Sequence, residues 1–437
     1  MKTIFKILLS FVSMALILSM ESYAENPIRK SRMDRSRLNI GTYHLRPYAT
    51  SEQHVSDLAD CGIDFVVCMQ DDRKTLDLFQ KYGVGAVITG TLPGWWGGEG
   101  DNAGTFERTH PMITYEKAAA RFTDHPAIWG IDIGDEPSAL DFPYYGKVFE
   151  RVDELFPNQF PYLNLYPNYA SIASNDGKQT VNQLGTRSYA EHISKYVNNV
   201  PSDYICYDFY VYTSTVQRAY DNLRIVADAC RDTGRSMWIV LQVNSNKPEL
   251  WITPNQLRFQ AYTAMAFGAE NIIWACYTAG WFHNQVLDEK GNKTEQYDKL
   301  KMVNAEIRRL GDPYMKYRRL STSFVGFEGT EWLKGVDVTT VPSHNDGVFC
   351  DLCTQDGSPL VVGSMVNRKG KRHHAVMVCA TDDPYDASPQ EHTLVFKAPG
   401  KKVVAWGTEG RINVRKNKDG QYCLPLPSNY AVFIEAK

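Results

Sequence analysis

Residues 128–137 read Ile128-Trp129-Gly130-Ile131-Asp132-Ile133-Gly134-Asp135-Glu136-Pro137. β-Branched and aromatic residues lead to an abrupt end marked by glycine, acids and proline, the pattern of a strand buried along its length that finishes at a polar rim. Working outward, residues 38 to about 317 alternate such runs with amphipathic stretches, as parallel strands joined by helices do. Eight runs can be counted, at 38–43, 65–69, 85–89, 128–133, 162–166, 204–212, 237–243 and 271–278. Several follow a glycine just past a helix end, as in Cys61-Gly62, Tyr82-Gly83, Thr233-Gly234 and Phe267-Gly268, where a left-handed cap turns the chain into the next strand.

Thr253-Pro254-Asn255-Gln256 combines a capping hydroxyl, proline at the first helical position and glutamine at the third, and opens a helix running to Phe267. Thr294 opens the last helix, with Leu300, Val303, Ile307 and Leu310 on one face. Eight strands and their helical connections close into a (β/α)8 TIM barrel. An open doubly wound sheet with a dinucleotide site would call for Gly-x-Gly-x-x-Gly after the first strand, and that motif is missing.

After Pro313 the helical pattern gives way to alternating runs at 361–366, 375–379, 392–396, 403–406 and 430–434, spaced by Gly, Asp, Asn and Pro. They read as a small antiparallel β-sandwich that packs against the barrel as a support. The expected division is a signal peptide at 1–24, a barrel at 25–317 and a sandwich at 318–437. Lys2 and Lys6 precede an apolar stretch, and Ser22-Tyr23-Ala24 supplies small residues for cleavage, so the chain is expected to be secreted or periplasmic. No later run approaches the roughly 18 apolar residues that a membrane span requires.

The net charge of -3 argues against a nucleic-acid partner, whose phosphates favour a basic face. Cys61, Cys68, Cys206, Cys230 and Cys276 lie in apolar stretches, where a thiol packs as a small core residue. Cys350 and Cys353 have no second pair at zinc-like spacing and read as ordinary strand or turn positions. No cofactor motif and no metal site is evident, although Asp71, Asp72 and Asp101 are potential ligands for a divalent ion.

Active sites of such barrels lie at the C-terminal ends of the strands. Three acids, Asp132, Asp135 and Glu136, crowd the end of the fourth run, where they make poor core material. Cleavage of a glycosidic bond needs a carboxylic acid kept protonated by desolvation or a neighbouring negative charge. Glu136 is the expected acid, with Asp135 beside it. In the sixth run, alternation puts Asp208 on one face with Cys206 and Tyr210, and a charge there is costly unless it lines a polar cavity. Asp208 is the expected second acid. The seventh run ends in amides, Gln242 and Asn244, rather than a carboxylate.

Other strand ends are suited to holding a sugar: Tyr43 and Arg46 after the first, Gln70 after the second, Trp95 and Trp96 after the third, Asn164 and Tyr166 on the fifth, Tyr210 on the sixth, and Tyr277 and Trp281 after the eighth. Paired tryptophans in the Gly-rich loop Pro93-Gly94-Trp95-Trp96-Gly97-Gly98 offer an apolar face on which a pyranose can stack.

With these residues in place, the run His125-Pro126-Ala127-Ile128-Trp129-Gly130 followed by Asp135-Glu136-Pro137-Ser138 resembles the fourth strand of clan A glycoside hydrolases, where Asn-Glu-Pro carries the acid/base glutamate. Together with Leu163-Asn164-Leu165-Tyr166-Pro167-Asn168 and Gln256-Leu257-Arg258-Phe259-Gln260-Ala261-Tyr262, it makes the chain similar to a group of secreted glycoside-hydrolase-like barrel proteins. The resemblance implies Glu136 as acid/base, with Asp135 where the clan has Asn. Gln242 stands where its nucleophilic Glu is expected. Asp135-Glu136 also resembles the Asp-Glu of hexosaminidases that use the substrate's acetamido group, and Tyr207-Asp208 the Tyr-Asp of chitinase-like barrels. The implied activity is hydrolysis of a β-linked oligo- or polysaccharide; the alternative is a glycan-binding barrel that lacks the seventh-strand nucleophile.

Overall fold

The computed structural model describes residues 30–96, 102–172, 183–370, 373–386 and 388–437. The expected signal peptide, Gly97, Gly98 and Asp101 lie outside them. Eight parallel strands form the barrel: β1 (Asn39–Tyr43), β2 (Phe65–Met69), β3 (Gly85–Ile88), β4 (Ile128–Asp135), β5 (Phe160–Asn164), β6 (Tyr204–Phe209), β7 (Ser236–Gln242) and β8 (Ala269–Ala275). Their order is β5-β4-β3-β2-β1-β8-β7-β6, and a parallel bridge between Leu165 and Tyr207 closes the ring.

Around them lie α1 (Glu52–Asp60), α2 (Arg73–Tyr82), the short α3 (Phe106–Thr109), α4 (Met112–Ala119), α5 (Phe142–Leu155), α6 (Tyr189–Asn199), α7 (Val216–Thr233), α8 (Pro254–Ala266) and α9 (Glu295–Tyr314). The capping chemistry is local. Thr253 and Gln256 form a reciprocal capping box on α8, and Gly83 and Gly234 end α2 and α7 in the left-handed region.

The fifth strand begins two residues earlier than expected because Pro161, which should discourage a central strand, sits at the seam of the barrel. Leu163, of the same parity as Pro161, directs its N–H toward β6 and donates to the Tyr204 hydroxyl at 3.0 Å. That hydroxyl in turn donates to the Pro161 carbonyl at 2.7 Å. A side chain thus replaces the ladder where proline has removed a donor.

The chain then builds β9 (Tyr317–Val325), β10 (Thr340–Val341), β11 (Cys350–Thr354), β12 (Leu360–Asn367), β13 (His374–Ala380), β14 (Glu391–Lys397), β15 (Val403–Gly407), β16 (Gly410–Ile412), β17 (Arg415–Lys416), β18 (Tyr422–Pro427) and β19 (Ala431–Ala436). These form a seven-stranded and a four-stranded sheet, antiparallel except where β10 runs parallel to β9. Alternation sends Leu360, Val362, Val376, Val378 and Ile434 into the sandwich core, and Val361, Met365, Met377, Cys379 and Phe433 into the core shared with the barrel. Both faces of this sheet are therefore buried. At Gly363 an added Cβ would lie 2.1 Å from the Ala266 carbonyl oxygen, so glycine permits the closest approach of β12 to α8. Helix α8 is buried on every side from Gln256 to Ala266.

All nine cysteines are free thiols. Among the described residues no helix is long and apolar enough to cross a membrane. Asp71 pairs with Arg73 and Asp72 caps α2, while no cluster of His, Cys, Asp and Glu suited to a metal ion occurs among the described residues.

Tyr204→Phe removes both partners across the seam, and a buried donor and acceptor left unpaired cost about 1–3 kcal/mol; urea denaturation should show a loss of that size. In the sandwich, buried His392 lies between Asp382 and Asp356, at 3.0 and 2.7 Å. Hydrogen bonding to Asp382, then to Asp356, raises its pKa from 6.5 to about 9 against the effect of burial. Because the folded value exceeds the unfolded one, its stabilisation is complete below pH 6.5 and fades as pH rises through about 9. Thermal midpoints from pH 6 to 10 should fall more steeply for the native chain than for His392→Asn.

Candidate active site

Strand parity lines the barrel interior with successive layers. Phe160 and Tyr162 precede Asn164 on β5, Tyr204 and Cys206 precede Asp208 on β6, and Trp238 and Val240 precede Gln242 on β7. The apolar members fill the barrel and the polar ones form the uppermost layer, at the rim. On β4, Gly134 has φ 152°, and a Cβ there would lie 2.2 Å from the Tyr145 hydroxyl and 2.8 Å from the Trp95 carbonyl. Glycine therefore lets the Trp95 carbonyl accept the Asp135 N–H at 2.9 Å, tethering the tryptophan loop to the end of β4. The next residue, Glu136, takes a left-handed backbone with φ 47°, held by its N–H donating to the Asn164 carbonyl at 2.9 Å.

Side chains from three strands converge there. The Asn164 Nδ2 donates to Asp135 Oδ1 at 3.1 Å and to Asp208 Oδ1 at 2.9 Å. Asp208 also accepts from the Tyr169 hydroxyl at 3.4 Å. Trp96 Nε1 donates to Glu136 Oε2 at 3.2 Å, its ring 64% exposed. Beneath them the Cys206 thiol donates to Asn164 Oδ1 at 3.5 Å and contacts the Tyr162 hydroxyl, which meets that of Tyr43 at 2.8 Å. The thiol fixes which end of the amide faces the carboxylates.

Asp135 is reached by solvent although protein surrounds it, as at the floor of a concave mouth, and Asp208 is buried. Burial raises the pKa of both. The charge of Asp135 pushes Asp208 up further, while the Asn164 amide draws both down. Asp132 is raised to about 7 by burial and then by Asp135, opposed by the Gly134 N–H and the Thr89 hydroxyl. The mouth therefore holds exchangeable protons near neutral pH, a condition for general acid–base work.

An aromatic wall adjoins the acids. Trp281 meets Tyr43, His44 and Tyr210 with ring centroids 5.6, 5.6 and 6.2 Å away, and Phe282 packs on Tyr210 at 5.0 Å. Burial raises the pKa of both tyrosines, with Tyr162 and then Asp135 adding to the effect on Tyr43 and Asp208 to that on Tyr210. Arg46 lies exposed at the rim and donates from Nε to the Ala279 carbonyl at 2.9 Å. Gln70 stands exposed at the end of β2.

The remaining expected residues do not present free side chains to the site, and Gln242, although in the rim layer, is one of them. Gln242 is fully buried, its Oε1 accepting from the Tyr212 N–H at 3.2 Å and its Nε2 donating to the Asn244 carbonyl at 2.9 Å, so its amide is engaged by backbone. Trp95 is buried and stacks on Phe106 at 5.3 Å. Tyr166 and Tyr277 belong to the core between strands and helices, because β5 and β8 end at Asn164 and Ala275 and both tyrosines follow in segments packed outside the barrel interior. His44, which follows β1 directly, joins the site as a strand-end residue, and Tyr169 and Phe282 join it from loops that carry no periodic signal.

No family model matches the chain, and no curated protein matches it. Among solved structures it is similar to a glucosidase from Croceicoccus marinus, with 9% identity over 94% of this chain and 99% of that one and a TM-score of 0.41. It is also similar to a family 51 α-L-arabinofuranosidase from Bifidobacterium longum, with 11% identity, 94% and 97% coverage and a TM-score of 0.42. A third is a glycoside hydrolase family 5 mannosidase from Rhizomucor miehei, with 11% identity, 64% and 98% coverage and a TM-score of 0.42. These likenesses assign no role to any residue of this chain.

Asp135→Asn removes a negative charge that raises both Asp132 and Asp208. Carboxyl 13C titration of that variant should show both midpoints at lower pH than in the native chain.

Proposed function

We propose that this protein is a glycoside hydrolase, exported to act on a β-linked oligo- or polysaccharide, with Glu136 as its general acid. The observation that carries the reading is the gathering of Glu136, solvent-reached Asp135 and buried Asp208 at one strand-end rim beside exposed aromatic rings. Trp96 and Trp281 supply apolar faces on which sugar rings stack, and the Trp96 indole N–H orients the acid. The pair Asp135 and Asp208, linked by Asn164, takes the proton from an attacking water, with Asp208 as the base.

Since strand seven ends in a buried amide, a covalent glycosyl-enzyme on β7 has no carboxylate to form it. Direct displacement by water inverts the anomeric carbon, so NMR of the first-formed product should show the opposite anomer from the substrate. Net retention would transfer the nucleophile's role to a substrate acetamido group positioned by Asp135 and Asp208. On a panel of aryl glycosides, Glu136→Gln should lower kcat by about 10²–10⁴-fold, and unchanged turnover would sink the assignment. Trp96→Ala, which removes both a stacking face and the donor that orients Glu136, should raise KM and lower kcat together.

The second reading, a glycan-binding barrel without catalysis, is favoured by the engaged amide of Gln242. Retention of a polysaccharide, with no sugar released on long incubation by the native chain, would select it.

A further inference from the structure

The mouth of the barrel is not equally deep all round. On the half built from β5 to β8 the rim layer itself is closed, with Asn164, Asp208 and Gln242 buried, and so are Cys206 and Val240 below it. On the half built from β2 to β4, solvent passes the rim and reaches one layer further down. Cys68, Thr89 and Asp132 are only half-buried there, and Asp135 above them is exposed. Val67, Val87 and Tyr162, all buried in the barrel interior, close this pocket below.

Asp132 is the carboxyl group at the pocket's depth. It pairs in register with Tyr162, so its side chain shares that residue's inward direction, and its charge acts on Cys68 across β3. Its Oδ1 accepts the Gly134 N–H at 3.1 Å and the Thr89 hydroxyl stands beside it, two of the roughly four acceptor positions a carboxylate offers. The remainder are open to a ligand, because solvent already reaches the residue. Raised to about 7 by burial and then by Asp135, the group both donates and accepts near neutral pH, as hydroxyl partners do. Glu136 stands four residues further on, at most about 13 Å away along the backbone, a separation that one sugar ring between two carboxyl side chains fills.

We propose, resting on the hydrolase reading, that this pocket receives the terminal sugar of the substrate and that Asp132 is a specificity-determining residue, binding the ring hydroxyls at C3 and C4 while the anomeric carbon lies beside Glu136. The substrate is then a neutral sugar with both hydroxyls free, removed one unit at a time from the non-reducing end. The packed floor leaves no room for a further unit beyond C4, and a carboxylate at its base disfavours uronic acids and sulfated sugars.

The test uses the full chain. Gluco-, manno-, galacto- and xylo-oligosaccharides with β linkages, labelled at the reducing end, are digested and resolved by chromatography. Stepwise loss of single sugars from the unlabelled end is expected, and early release of internal fragments overturns the proposal. On the aryl glycoside cleaved best, Asp132→Asn should lower kcat/KM about tenfold or more, the usual effect of losing a charge-assisted hydrogen bond. Removing the C4 hydroxyl from that substrate should cost the native chain as much and the variant little further. Equal deoxygenation losses in both chains, which a merely structural role would give, overturn the role of Asp132. The digestion pattern and the native chain's own deoxygenation loss decide the matter if the variant does not fold. If the native chain cleaves no glycoside, the hydrolase reading fails by itself, and calorimetric titration with the methyl β-glycosides of the same four sugars tests the pocket. At least one should bind, and bind Asp132→Asn at least about tenfold more weakly; no binding, or binding undiminished in the variant, overturns the proposal.

Discussion

Two carboxyl groups on the strands either side of β5, in a crowded barrel mouth, repel each other, and burial makes the repulsion expensive. In this protein one primary amide resolves it. Asn164 gives one hydrogen to Asp135 and the other to Asp208, and its oxygen is turned away by the Cys206 thiol beneath. The arrangement depends on the register of β5, since a one-residue slip would turn the amide out of the barrel. That register is held at the seam, where the Tyr204 hydroxyl spans Leu163 and Pro161. Barrel closure and site assembly are thus parts of one hydrogen-bonded structure, running from the seam to the rim.

Left-handed backbones at His44, Cys68 and Glu136, with φ of 62°, 60° and 47°, fall within one residue of the ends of β1, β2 and β4. Each costs about 1–3 kcal/mol in a residue with a side chain. The expense is tolerable because the strands below are packed solid, with Phe65, Val67, Trp238 and Ile273 filling the barrel. Rigid packing beneath is what lets the rim hold side chains in directions that ordinary strand geometry would not give them.

The end of β4 could be read from sequence because acids in that number have no use in a core, and the helix caps because their chemistry is contained within four residues. Register was harder to read. Pro161 looks like a strand breaker until Tyr204, 43 residues later, is known to stand across from it, and a strand taken to start after Pro161 carries Tyr166 to the rim, whereas β5 ends at Asn164 and Tyr166 lies in the core. Tyr277 follows the end of β8 at Ala275 and likewise lies in the core. Strand β9, Tyr-Arg-Arg-Leu-Ser-Thr-Ser-Phe-Val, looks too polar for a sheet, yet it pairs with β12 along its length and turns arginines into a cleft beside the barrel. Tyr169 and the partners of Gln242 are tertiary facts, set by loops whose course no local pattern announces.

Helix α8 lies between the barrel strands on one side and β12 and β13 on the other, so closely that Gly363 cannot carry a side chain. Such a helix has no solvent face, and its sequence was never selected to have one. The two halves of the chain therefore are not interchangeable modules. Trimming the sandwich to obtain a minimal barrel would uncover an apolar wall prone to self-association, and grafting another accessory domain would have to reproduce a sheet flat and bare enough to lie against α8.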